Sequence, residues 1–227
     1  MILQDIGYLL SINKFNENSS ICEFYTKNNG KVTGIIFGST SKKYKSYLII
    51  GNRIHLNYHL KNSNSIGNFK VEIDKVNTAY YFDNKNKFLC IKYVMQLIKI
   101  LTTDNENNSK IYNLIDDFFN IIKESNWLKL FVMWELEFFK TIGFEINYKE
   151  FANTKKVNGS LIYVSKNDNN KIIPNFLIEG SNGSVLLMDL IRALDLNQDF
   201  LEKSILRDNN LNVPVQRINF INSLNNL

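Results

Sequence analysis

Five short β-rich runs, separated by Gly, Asn and Ser turns, occupy the chain up to about residue 76. After Ala79 the apolar spacing becomes helical. The runs are Ile2–Ser11, Ile21–Thr26, Lys31–Phe37, Arg53–Leu60 and Phe69–Val76. Turn signals fall at Asn28-Asn29-Gly30, Gly38–Ser41, Gly51-Asn52 and Asn62–Gly67. Five strands in so short a span suit a small closed barrel of the OB type, and a small five-stranded sandwich fits the same runs. The expected class is α+β: an N-terminal five-stranded OB-type β-barrel followed by an α-helical domain with a small β-hairpin insertion.

The helical part begins with two amphipathic stretches. One carries Phe88, Ile91, Val94/Met95, Ile98 and Leu101, the other Ile111, Leu114/Ile115, Phe118/Phe119 and Ile122. A third has Trp127, Leu130/Phe131, Trp134, Phe138 and Ile142 on one face, with Ser125 or Asn126 to cap it and Gly143 to end it. Between the first two, Thr103–Ser109 is polar and has no core to make. Residues 145–180 lose the period, and a hairpin turning at Asp168–Asn170 is expected there. Helices resume at Ser184–Leu194, Asn197–Leu206 and Val213–Leu224, Pro214 being tolerated in a first turn. The expected domains are 1–78 and 79–227, with the hairpin region at 145–180.

Charge is unevenly spread. Net charge is +5, and residues 1–80 hold ten Lys/Arg against five Asp/Glu, whereas the rest of the chain is balanced. Between Lys14 and Lys61 eight basic residues face only Glu17 and Glu23, a field that attracts phosphate. Cys22 and Cys90 stand alone in apolar runs, which fits a reducing compartment and no disulfide framework. Asp5 lies where a signal peptide carries positive charge, and no apolar run approaches the ~20 residues of a membrane span. A cytoplasmic monomer is expected.

Catalytic signatures are sparse. His55 and His59 share one face of an expected strand but have no acidic third ligand nearby. Ser39-Thr-Ser-Lys42 matches a Ser-x-x-Lys string without its companion motifs. Asp116-Asp117 and Glu135/Glu137 fall on or beside polar helix faces, where solvated charge is the expectation. Neither a phosphate-binding P-loop nor a dinucleotide glycine turn is present. No catalytic activity, metal or cofactor is expected.

The basic strip is the positive signal. Single strands are held by cations along the backbone and by aromatic faces for the bases. Lys14, Lys31, Lys42, Lys43, Lys45 and Arg53 supply charge, and Tyr44 and Tyr47, with Phe15 and Tyr58 nearby, supply rings. The alternative is a non-catalytic protein–protein adaptor on an OB-type scaffold, its lysines serving solubility.

The motifs resemble the bacterial recombination mediator family RecO nearly end to end. The resemblance is carried by Asp5-x-Gly7 with Ser11, by Thr26–Gly34 (TKNNGKVTG), and by Gly38–Lys45, a glycine followed by basic residues. Trp134–Asn147 (WELEFFKTIGFEIN), Tyr163–Ser165 and the Phe200–Arg217 segment follow in order, closest in flavour to alphaproteobacterial members. The resemblance implies binding of single- and double-stranded DNA and annealing of complementary strands. It also implies RecA loading onto SSB-coated strands together with RecR, in DNA repair, with a nucleoid-associated location. Lys129 and Lys140 become rim charges for the acidic C-terminal tail of SSB, while Trp127, Phe131 and Trp134 build core. Two departures stand out. Where many members carry Cys-x-x-Cys, this chain has Phe151-Ala152-Asn153-Thr154, so zinc is not expected, and the family's arginine after the barrel glycine is replaced by Lys42 and Lys43.

Overall fold

The computed structural model describes residues 2–59, 66–157, 160–180 and 184–225. Leu60, expected to end a strand, and most of the expected Asn62–Gly67 turn lie outside the described residues. Two compact units are present, one made of the chain up to Phe119 with Pro214–Ser223, the other of Asn120–Val213 with Leu224 onward.

The first unit is built on a closed five-stranded barrel. Its strands are β1 (Ile2–Asn16), β2 (Ser19–Thr26), β3 (Gly30–Phe37), β4 (Arg53–His59) and β5 (Gly67–Lys75), in the order β1-β2-β3-β5-β4. That is the OB arrangement, so the barrel stands and the sandwich does not. Alternation places Leu9, Cys22, Phe24, Val32, Ile36, Ile54, Leu56, Phe69 and Val71 inside, as the pleat requires. Closure rests on the parallel β3–β5 seam, which among the described residues pairs at Gly34↔Gly67 and Ile35↔Asn68. Glycine is needed at 34 because a Cβ there would stand 2.4 Å from the Phe69 ring.

Between β3 and β4 lies a six-residue helix, α1 (Lys42–Tyr47), in a stretch where the spacing had indicated no element. Ser41 caps its start by accepting from the Tyr44 N–H, and Tyr44 and Leu48 pack against the barrel core. After a single 3₁₀ turn at Ala79–Tyr81 come α2 (Lys85–Leu101) and α3 (Ser109–Ile121).

The change of secondary structure expected at 78/79 is therefore not the edge of a compact unit. Buried groups of β1–β3 reach onto the helices that follow. The Tyr8 ring stacks on Phe119 at 5.3 Å between centroids and its hydroxyl donates to Asp116; Tyr25 donates to the Asn108 carbonyl at 3.2 Å. The loop before α3, polar and with no core of its own to make, is stitched to the barrel: the Asn105 N–H donates to the Lys31 carbonyl at 2.8 Å. Gly30, at φ +65°, lies so close to the Glu106 carbonyl that a Cβ would sit 2.0 Å from its oxygen. The late helix α7 (Val215–Leu224) belongs largely to this unit. On it Arg217 is fully buried with its guanidinium 4.9 Å from the Tyr93 ring centroid, a cation–π contact.

Burial raises four tyrosines of this unit: Tyr81, Tyr25 and Tyr112, the last two to about 12, and Tyr8 further still, where the Asp116 carboxylate adds to the burial. A group whose folded pKa is raised contributes stability below its unfolded value, near 10 for tyrosine, and loses it as pH climbs toward the folded value. Stability is thus expected to fall between pH 10 and about 12. In an alkaline titration the exposed tyrosines should ionise first. The last tyrosinate absorbance should then rise together with loss of circular dichroism; ionisation of all eleven tyrosines before unfolding would contradict the buried hydroxyls.

The second unit holds α4 (Trp127–Thr141), a three-stranded antiparallel sheet, and the helices that follow it up to Leu206. The strands are β6 (Ala152–Val157), β7 (Ser160–Ser165) and β8 (Asp168–Ile173), in sequence order. The expected hairpin is present, but it turns at Lys166-Asn167, two residues early, and a third strand joins it. The turn of helix α5 (Phe176–Glu179) precedes α6 (Leu187–Phe200), which continues as a π-helical turn over Leu201–Leu206. On α4, Phe131, Trp134 and Phe138 stack and are buried, as the aromatic stripe implied. Glu135 departs from expectation. It is fully buried and accepts from the Asn197 side chain at 2.9 Å, while Tyr148 donates to that same Asn197 at 2.8 Å. A carboxylate inside a helix pair survives only when it is hydrogen-bonded in this way.

Candidate nucleic-acid interface

Two tight turns set one rim of the barrel. The backbone N–H groups of Gly38 and Ser39 donate to the Asn18 carbonyl at 2.7 and 3.2 Å, and the Thr40 hydroxyl donates to the Asn18 side chain at 2.6 Å. This latch ties the β1–β2 turn to the turn that launches α1. Ser39 is buried with its hydroxyl 2.8 Å from that of Ser20, so the Ser-x-x-Lys serine is part of the same latch.

On this rim Lys14 leaves the end of β1, and Lys42, Lys43 and Lys45 leave α1, all exposed. Among the described residues none of the four forms an ion pair. Lys43 lies over two rings, its Nζ 5.9 Å from the Tyr44 centroid and 5.7 Å from that of Tyr47, which presents both aromatic groups beside a cation. Tyr44 is half-buried against the core and Tyr47 half-exposed, so each is partly scaffold and partly surface.

Lys31 and Arg53 are placed differently. Lys31 Nζ donates to the Lys99 and Thr102 carbonyls at 2.9 and 2.6 Å and pairs with Asp104 at 3.1 Å. It is the cap of the α2 C-terminus, where a cation offsets the helix dipole. Arg53 bridges Asp74 at 2.6 Å and Asp116 at 2.9 Å. Asp116, expected to be solvated charge, is half-buried, pairs with Arg53 and accepts from the Tyr8 hydroxyl. The neighbouring outer face of β1 and β2 is engaged too: Glu23 pairs with Lys99, and Lys99 donates to Ser11 at 3.1 Å. The basic strip thus divides into an engaged part, Lys31 and Arg53, and an open part, the rim lysines.

Two rim residues escaped the sequence reading. Phe37, last in β3 and 60% exposed, points outward by the same alternation that buries Ile36, and Lys70 lies on the outer face of β5. A strict count of alternation from the buried Val32 would have found Phe37. Lys70 carries no such signal, because its place beside α1 comes from barrel closure.

In the second unit Lys129 and Lys140 both lie on α4. Lys140 pairs with Glu145 at 2.7 Å, an exposed pair of little energetic weight. The sheet beside them does not fit the family's zinc: Phe151, Ala152, Asn153 and Thr154 offer no thiolate. Among the described residues no group of three or more His, Cys, Asp or Glu is arranged to hold a metal, and no helix is long and apolar enough to cross a membrane.

A five-stranded OB barrel with an open cationic rim, continued into a helical unit with a small sheet, defines an OB-fold protein of α+β class. Residues 1–75 match the family model described as Recombination protein O N terminal. The DNA repair protein RecO of Rickettsia rickettsii (strain Iowa) is 26% identical over 223 residues, covering 92% of this chain and 93% of the relative. That of Ehrlichia chaffeensis is 27% identical over 164 residues, covering 71% and 66%. The barrel is thus similar to RecO N-terminal domains, and over most of its length the chain is similar to alphaproteobacterial RecO proteins. Among solved structures an Entamoeba histolytica asparaginyl-tRNA synthetase overlaps with a TM-score of 0.28 at 10% identity over 94% of this chain and 59% of that one, too little to carry an argument.

Proposed function

We propose that this protein is a non-catalytic, DNA-binding recombination mediator of DNA repair that acts in the cytoplasm at the nucleoid. The carrying observation is the rim: four exposed lysines that form no ion pair among the described residues, beside two half-exposed tyrosines, with Lys70 close by. The names of the relatives, DNA repair protein RecO, point the same way. On this reading Lys14, Lys42, Lys43, Lys45 and Lys70 neutralise phosphates of single- or double-stranded DNA, and Tyr44 and Tyr47 flank the path. Screening two backbones at once lets complementary strands approach and anneal. Lys31 and Arg53 act from inside the fold. With RecR the protein promotes RecA loading on SSB-coated strands, and Lys129 and Lys140 meet the acidic SSB tail as charges on α4.

Five phosphates neutralised on a single strand give a salt slope of roughly −3.5, so a fourfold rise in salt should weaken binding about 100-fold. Fluorescence anisotropy of a labelled oligonucleotide at two salt concentrations reads this directly. Weak or salt-insensitive binding would favour the adaptor, whose lysines only keep it soluble.

A further inference from the structure

The seam that closes the barrel is short. β3 and β5 pair at two positions and then part, β3 running on to Phe37 and β5 to Lys75. Where they diverge a cleft of about 400 Å³ opens, at the lower end of small-ligand sites. Its walls are Phe37 from β3, Lys43 and Tyr44 from α1, and Asn57, Asn68 and Lys70 from the β4–β5 ribbon. Register explains the ribbon's contribution. Asn57 is paired with Lys70, and Asn68 lies two residues before Lys70, so both side chains of β5 leave by the same face. Glu72, the next on that face, also borders the cleft.

The chemistry of these walls is specific. An exposed phenyl ring offers a stacking face. Two carboxamides each present a donor and an acceptor, the complement of a base edge. Two lysines on different elements suit the phosphates on either side of one nucleotide, and Glu72 disfavours a phosphate inside the cleft while it can accept from an exocyclic amine. A duplex cannot enter such a site, because its bases are already stacked and paired.

We infer that the seam cleft is a nucleobase subsite that holds one unpaired base against Phe37, and that it makes the rim prefer single-stranded to double-stranded DNA. The inference rests on the DNA-binding reading above and deepens it. Rim lysines supply affinity that any phosphate backbone satisfies, whereas the cleft adds a contact that only an unpaired base makes. Stacking of one base on an aromatic side chain corresponds to about 5- to 150-fold in affinity.

The test uses the full chain, its Phe37→Ala and Phe37→Trp variants, and three probes of equal length: oligothymidylate, the same oligomer with abasic sites throughout, and a blunt duplex. Phe37 is exposed, so Phe37→Ala is expected to fold, and circular dichroism checks it. Wild type should bind oligothymidylate about tenfold better than the abasic oligomer. Phe37→Ala should lose that factor on oligothymidylate and less than twofold on the abasic oligomer and the duplex, and Phe37→Trp should restore it. Salt-steep binding with an unchanged base-to-abasic ratio in Phe37→Ala would overturn the cleft and leave the DNA-binding reading standing. Absence of binding to all three probes would overturn both.

Discussion

Replacing Lys42, Lys43 and Lys45 together by glutamate is expected to weaken single-strand binding by on the order of 100-fold or more at low salt and to flatten the salt slope by about two. The slope change follows from three lost phosphate contacts at about 0.7 each. Reversal adds repulsion to the loss, so a glutamine triple variant should fall between wild type and the glutamate variant. Stability should barely move. No residue of α1 is buried, and the three ammonium groups make no ion pair among the described residues. Surface substitutions of this kind usually stay within about 0.5 kcal/mol. The cation–π contact of Lys43 with Tyr44 and Tyr47 is the one packing term lost, at about 0.5–1 kcal/mol. Anisotropy titrations at two salt concentrations, with thermal melts of the same preparations, separate binding from folding. If the glutamate variant binds as wild type does, DNA does not follow this rim.

The selectivity of that prediction depends on something the residue types alone do not reveal. Lys31, Arg53 and Lys42 read alike along the chain: each is a cation in a β-rich stretch with aromatic neighbours. Alternation was legible because burial in a barrel has period two, and so were the strands, the α4 aromatic stripe and the helices from their three-and-four spacing. What stayed hidden depends on contacts far apart in sequence. Asp104 and the carbonyls of Lys99 and Thr102 lie some seventy positions after Lys31, and Asp116 lies 63 after Arg53. Nothing local marks those residues as counter-ions. The short helix α1 was hidden for a different reason: six residues are too few to establish a period, and its apolar signal is only Tyr44, Tyr47 and Leu48.

The same contacts gave the Asp5-x-Gly7 motif a structural meaning. Asp5 accepts from the Asn28 backbone N–H at 3.0 Å and from the Asn29 side chain at 2.7 Å, and so fixes the β2–β3 turn. Gly30, closing that turn, can then lie against the Glu106 carbonyl. The motifs that carry the resemblance in this region are thus in part devices that seat the barrel on the α2–α3 loop. The proposed binding surface falls instead on the Gly38–Lys45 segment, where Lys42 and Lys43 stand in place of the arginine usual in the family it resembles.

Lys31 should behave as the opposite of the rim lysines. Its ammonium group satisfies two carbonyls of the α2 C-terminus and one carboxylate, and its side chain is only 12% exposed. Lys31→Met keeps the aliphatic stem but leaves those carbonyls without their charged donor. Hydrogen bonds to a charged group contribute about 1.5–3 kcal/mol, and the water that reaches Asp104, itself 62% exposed, recovers part of the loss. A net cost of about 2–3 kcal/mol is expected, a fall in melting temperature of about 5–10 °C at this chain length. Asp104→Asn should cost much less, because the carbonyls keep their donor. In the folded fraction of Lys31→Met, the slope of DNA affinity against salt should equal that of wild type. A variant that melted normally and bound DNA with a flatter slope would put Lys31 on the DNA path and remove it from the helix cap. The two lysine classes therefore separate by a single pair of measurements, since rim substitutions change the slope at constant melting temperature and Lys31→Met changes the melting temperature at constant slope.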